Sequence, residues 1–117
     1  MTKEIDLNDV IPYFKALHCD IRWEIIRVLK DGPKSSDDIY NILKQKKLDL
    51  NIENNKCEGR CKAGPIENLK KPSLYYHLRE LERVGIIQVV KLKPSEHRRA
   101  PEKIWKLNLD KLVINFE

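Results

Sequence analysis

Between Lys71 and Arg83 a single run carries a hydroxyl, two phenols and two guanidinium groups: Ser73, Tyr75, Tyr76, Arg79 and Arg83. Ser73, Tyr76, Arg79 and Arg83 recur every three or four residues, so on a helix they share one side, with Tyr75 at its margin. Hydroxyl, phenol and guanidinium groups are hydrogen-bonding partners for base edges in the DNA major groove, where a guanidinium binds guanine through two bonds. Leu74, Leu78 and Leu81 fall on the other side as a stripe to be buried. Pro72 suits a first helical turn, and Gly85 stands where a left-handed C-terminal cap belongs. The spacing therefore predicts a helix that starts at Lys71–Pro72 and stops before Gly85. The same pattern also describes an ordinary amphipathic helix whose outward side is merely solvated.

A second group with chemistry is Cys57-Glu58-Gly59-Arg60-Cys61, with a third cysteine at Cys19. Three readings compete. Gly59 lets the chain fold back, so Cys57 and Cys61 can bridge as an intrachain disulfide, the pairing favoured here. A metal needs two further ligands, and no second closely spaced Cys or His pair supplies them; His18 and Cys19, or a second subunit, remain as sources. Reactive thiols are the third reading, because Lys56, Arg60 and Lys62 would lower the thiol pKa values. No metal ligand is assigned. The sequence has no Gly-rich phosphate loop, no G-x-S-x-G elbow and no H-E-x-x-H pair, so neither catalysis nor a cofactor is expected.

Charge supports a polyanionic partner. The chain of 117 residues carries a net +5, unevenly placed. Residues 1–59 hold 10 Lys/Arg against 11 Asp/Glu, whereas residues 60–117 hold 13 against 7. The excess lies on the half that contains the hydroxyl- and guanidinium-bearing helix, where it would attract a phosphate backbone through counterion release. An apolar fraction of 41% and this length fit one domain, 1–117, with a modest core. No apolar run approaches the roughly 20 residues that span a bilayer, so a soluble, cytoplasmic chain without a membrane partner is expected.

The elements that must position these residues follow from periodicity and caps. Leu7, Val10, Ile11, Phe14 and Leu17 predict a first helix at about 8–18, capped by Asn8 or Asp9 with Pro12 in its first turn. Asp20 is the expected cap of a second helix, about 20–30, whose buried stripe is Ile21, Ile25, Val28 and Leu29; Trp23 lies off that stripe. Asp31-Gly32-Pro33 ends it, and Lys34 is a short connection with room for one or two strand residues. Ser35 or Ser36 caps a third helix with Ile39, Ile42 and Leu43 inward. An insertion, 46–68, separates it from the helix that begins at Pro72. Ile86 to Leu92 and Glu102 to Leu109 then read as two strands, with Trp105, Leu107 and Leu109 on one face and a basic tip carrying His97, Arg98 and Arg99. The apolar tail Leu112-Val113-Ile114-Asn115-Phe116 calls for a partner surface, either the first helix or a second subunit.

Pro72-Ser73-Leu74-Tyr75-Tyr76-His77-Leu78, then Leu81-Glu82 and Gly85-Ile86-Ile87, resembles the recognition helix and first wing strand of ArsR-type winged helix-turn-helix transcription regulators. Ala16-Leu17, Ile21 through Leu29 and Gly32-Pro33 resemble the helix that precedes that reading head. The resemblance covers roughly 14–45 and 69–109. It implies a mainly α chain with a small antiparallel β-hairpin, the wing being 86–109. It also implies a homodimer, joined through the N-terminal helix and C-terminal tail, that binds double-stranded DNA by sequence and regulates transcription. Ser73, Tyr75, Tyr76 and Arg79 would face bases; Lys70, Lys71, Lys93, His97, Arg98 and Arg99 would lie on or near the backbone. The 46–68 insertion departs from the family, which joins the two helices by a short turn. The family's metal-binding Cys-x-Cys is also missing from the third helix, where Ser36-Asp37-Asp38-Ile39-Tyr40 stands. Two alternatives stay open: a redox- or metal-responsive sensor acting through Cys57 and Cys61, and a winged-helix module that binds protein.

Overall fold

The computed structural model describes residues 1–46, 70–94 and 101–116. In chain order these form β1 (Thr2–Asp6), a 3-10 turn (Leu7–Asp9), α1 (Ile11–Leu17), α2 (Asp20–Lys30), β2 (Lys34–Ser35), α3 (Ser36–Lys46), α4 (Lys71–Arg83), β3 (Ile87–Lys93), β4 (Glu102–Leu107) and β5 (Lys111–Asn115). About half of the described residues are helical and nearly a third are strand. The chain is thus α/β, which corrects the expectation of a mainly α winged helix-turn-helix with one small hairpin. Two elements account for the difference. β1 and β5 pair in parallel, Thr2 opposite Lys111 through Asp6 opposite Asn115. β2 joins β4 on the side away from β3, so the hairpin is part of a three-stranded antiparallel sheet ordered β2-β4-β3.

The helix ends show which local signals operate. α4 begins with Pro72 in its first turn and ends at Val84. Gly85 then takes φ +80°, Gly85 N–H donates to the Glu82 carbonyl at 2.9 Å, and Ile86 N–H donates to the Leu81 carbonyl at 3.1 Å. This is the left-handed C-terminal cap that glycine permits without steric penalty. α3 is capped by two different chains of atoms. The Ser35 hydroxyl accepts from Asp38 N–H at 3.1 Å, and the Glu102 carboxylate on β4 accepts from Asp37 N–H at 2.8 Å. A carboxylate at the positive end of α3 is favourable, and it pins the hairpin to the helix. The other two expected caps differ. Val10 precedes α1 and Cys19 precedes α2, each without a side-chain capping bond, and Asp20 is already helical. The region 8–18 divides into the 3-10 turn and a shorter α1.

The core lies where α2, α3 and α4 meet the inner face of the three-stranded sheet. Ile21, Ile25, Val28, Leu29, Ile39, Leu43, Leu74, Leu78, Leu81, Ile87 and Trp105 are all essentially inaccessible. The helical members of this set are positions that the 3.6-residue periodicity assigned inward, whereas Ile42, assigned inward with Ile39 and Leu43, is only half-buried. On the hairpin, Val89 opposes Trp105 and Lys91 opposes Ile104, so Val90 is the extra residue of a bulge. The bulge gives β3 an outward, exposed end with Lys91, Leu92 and Lys93. The indole N–H of buried Trp105 donates to the Ser36 hydroxyl at 2.9 Å, so the largest core side chain has its polar atom satisfied.

The α1 stripe is the exception. Val10 and Ala16 are buried, yet Leu7, Ile11 and Phe14 are about half exposed. That row faces away from the core. Among the described residues no helix is long and apolar enough to cross a membrane.

Candidate nucleic-acid interface

α4 buries Leu74, His77, Leu78 and Leu81 and turns Pro72, Tyr76, Arg79, Glu82 and Arg83 outward. The fold divides the expected contact residues between two flanks of this helix. On the hairpin flank, Tyr75 and Arg79 line a groove of about 300 Å³ together with Ser36 and with Glu102, Lys103 and Trp105 of β4. On the opposite flank, Tyr76 lies against α2, with the Arg22 guanidinium carbon 5.5 Å from its ring centroid. The ridge between them carries Arg83. Arg83 is held along the helix by Glu80 at 3.3 Å, an exposed pair of small energetic weight.

The two lysines at the start of α4 are not equivalent. Lys70 is exposed at the N-cap position. Lys71 is exposed, lies 3.3 Å from the Asp37 carboxylate and 5.7 Å from the Tyr40 ring centroid, and so also links α4 to α3. Lys93 is exposed at the outer end of β3, in register with Glu102. His97, Arg98 and Arg99, the disulfide candidates Cys57 and Cys61, and the insertion 46–68 apart from Lys46 lie outside the described residues. Cys19 is buried, with its sulfur 3.5 Å from His18 Nε2. Among the described residues no cluster of three or more His, Cys, Asp or Glu side chains is arranged to hold a metal ion.

Behind the interface is a support that periodicity did not reveal. Arg22 is 2% exposed, a charge inside the core. Its Nε–H donates to His77 Nδ1 at 2.9 Å, and its terminal nitrogen donates to the carbonyls of Lys15 and Ala16 at 3.1 Å each. A guanidinium at the C-terminal end of α1 meets the negative end of that helix, and the carbonyl bonds help replace its lost hydration. Because His77 Nδ1 accepts from Arg22, the ring proton sits on Nε2, which is buried with no partner in the described structure. Burial first, then the charges of Arg22 and His18, lower the His77 pKa to about 4. His77 is therefore a neutral core residue that receives Arg22, and the Tyr76 ring rests 5.6 Å from its own. The sequence signal was available: Arg22 stands three and seven residues before the stripe positions Ile25 and Leu29, on the side of α2 that is buried.

Lys103 and Lys91 were also missed as candidate contacts. Both are exposed on the hairpin, and Lys103 lies 5.7 Å above the Trp105 ring beside the groove that holds Arg79. Alternation along β4 places Lys103 outward of buried Glu102 and Ile104, which is the pattern that marks it. No protein-family model matches the chain, and no match was found among curated proteins.

Proposed function

We propose that the protein binds double-stranded DNA in a sequence-dependent manner as a homodimer and regulates transcription. The observation that carries this reading is the outward row of α4. Tyr76, Arg79 and Arg83 stand on a helix whose opposite side is fully packed, beside a basic hairpin bearing Lys91, Lys93 and Lys103. An α-helix fits the major groove, and its polar row then meets base edges while the flanking lysines meet phosphates. Ser73, Tyr76 and Arg79 are assigned to base reading, with Tyr75 on the hairpin flank. Lys70, Lys93 and Lys103 are assigned to the backbone, together with His97, Arg98 and Arg99 from the segment that joins β3 to β4 in sequence. The resemblance of α2 and α4 to ArsR-type regulators points the same way. The dimer is supported by the outward apolar row of α1 and by Phe116, which is 73% exposed at the end of the tail.

Selection from a pool of random duplexes tests the proposal. A twofold-symmetric consensus with half-sites about one helical turn apart is expected for a dimer presenting two copies of α4. Recovery of unenriched sequence would contradict base reading. A second reading has one observation in its favour: Val90 and Leu92 are exposed apolar residues on β3, which suits a module that docks on protein. That module would show no salt-dependent duplex binding.

A further inference from the structure

The β1–β5 sheet is incomplete by the ordinary physics of sheets. Parallel sheets are normally larger and covered on both faces, and two strands alone are marginal. Here two strands stand as a separate sheet, and among the described residues neither outer edge is paired with another strand. The β5 edge is the more adhesive of the two. Its core is Leu112-Val113-Ile114, all half-buried, β-branched at two of three positions and without a charge or proline to block pairing. The β1 edge, in contrast, presents Lys3, Glu4 and Asp6 to solvent.

An apolar groove of about 670 Å³ lies beside β5. The strand and its approach line it with Leu109, Leu112 and Ile114, whereas β1 contributes nothing. Phe14 of α1 and Trp23 of α2 form the facing wall, and both are substantially exposed. Trp23 is fixed there by donating its indole N–H to the Leu17 carbonyl at 2.6 Å.

We infer that the open edge of β5 pairs antiparallel with β5 of a second copy, giving a continuous four-stranded sheet β1-β5-β5-β1 across a twofold axis at Val113. This rests on the homodimer of the proposed function and specifies how its copies join. The sequence of the strand itself specifies the occupant. With Val113 opposite its own copy, Leu112 meets the partner's Ile114, and Lys111 meets the partner's Asn115, so the edge is self-complementary and opposes no like charges. Leu112 and Ile114 lie on the same face, and Phe116 continues that row. The same register places Phe116 opposite the partner's Asp110, at the rim of the partner's groove. The side chain that is 73% exposed in one copy thereby meets the apolar surface left open in the other. Strand addition of this kind supplies backbone hydrogen bonds for affinity and alternate side chains for specificity.

The test uses the full chain in two variants. Val113→Lys places like charges directly opposite one another and should weaken dimerisation by roughly tenfold or more in sedimentation, with the far-ultraviolet circular dichroism unchanged. Val113→Cys, in a background with Cys57→Ser and Cys61→Ser, should cross-link into a covalent dimer on mild oxidation. Cβ atoms of directly opposed strand residues lie about 4.5–5.5 Å apart, close to disulfide range. Lys30→Cys in the same background should not cross-link. A wild-type chain that sediments as a monomer at high micromolar concentration overturns the inference. So does a dimer that ignores Val113→Lys and fails to cross-link at Val113. If such a dimer dissociates with Phe14→Glu, the homodimer stands on α1 and only the strand pairing falls. A Val113-linked dimer that binds no duplex upholds the inference and removes the DNA reading.

Discussion

Arg22, His77 and Tyr76 form a stack that runs from the end of α1 to the outer face of α4. The buried guanidinium satisfies two carbonyls of α1 and the imidazole of α4 at once. That arrangement requires a neutral imidazole, because an imidazolium would put a second positive charge against Arg22. With its pKa lowered to about 4 from an ordinary 6.5, His77 stays uncharged in the folded chain over a range in which the unfolded chain binds a proton. The stability this contributes is fully present above pH 6.5 and is lost as pH falls through the window toward 4. Urea unfolding at pH 7 and pH 4.5 should show the wild type losing roughly 2 kcal/mol more than His77→Gln, which keeps an acceptor for Arg22 but does not titrate. Equal losses would place the acid sensitivity elsewhere. On the outer face, Arg79→Ala should remove about 1–3 kcal/mol of discrimination between a selected site and its scrambled version. Lys103→Ala should weaken both duplexes alike, because a phosphate contact carries no sequence information. Competition binding separates the two behaviours; equal losses on both duplexes for Arg79→Ala would mean that α4 does not read bases.

The elements show where sequence reasoning reaches and where it stops. α2, α3 and α4 were legible because their stripes repeat at 3.6 residues and their ends carry Gly32-Pro33, Ser35 and Gly85. Trp105 was legible as a core residue of the return strand. The β1–β5 pair was not, because parallel partners at opposite ends of the chain leave no local turn signal, and neither short strand alternates strongly. Val90 was unreadable as a bulge, since the extra residue is defined only by the partner strand's register. Caps reveal a related limit. Glu102 caps α3 from a strand far along the chain, a contact no local pattern encodes. Together with the Trp105–Ser36 bond, it ties the hairpin to α3, and this predicts a specific cost. Ser36→Ala leaves the buried indole N–H without a partner and should destabilise the fold by about 1–3 kcal/mol in thermal or urea unfolding. An unchanged midpoint would show that the indole has found another acceptor. Lys71 marks the same limit for the site: its position suggested a phosphate contact, and only the fold brought Asp37 to it.

At the scale of the whole molecule, the outward row of α4 and the apolar groove beside β5 share no residue, while the hairpin mixes Lys91 and Lys93 with exposed Val90 and Leu92. Lys70 at the N-cap of α4, Arg79 and Arg83 on it and the hairpin lysines form the basic side, whereas Phe14, Trp23, Leu112 and Phe116 lie on α1, on α2 and along β5 and its end. The proposed function assigns the first of these surfaces to a polyanion and the second to another copy of the chain. Joining two copies doubles the basic surface offered to one duplex. The measurement that tests this most directly is the salt dependence of duplex affinity. If a dimer neutralises roughly six to eight phosphates, a log–log plot of association constant against salt concentration should fall with a slope of about −5 to −7. A slope near zero would contradict DNA binding altogether.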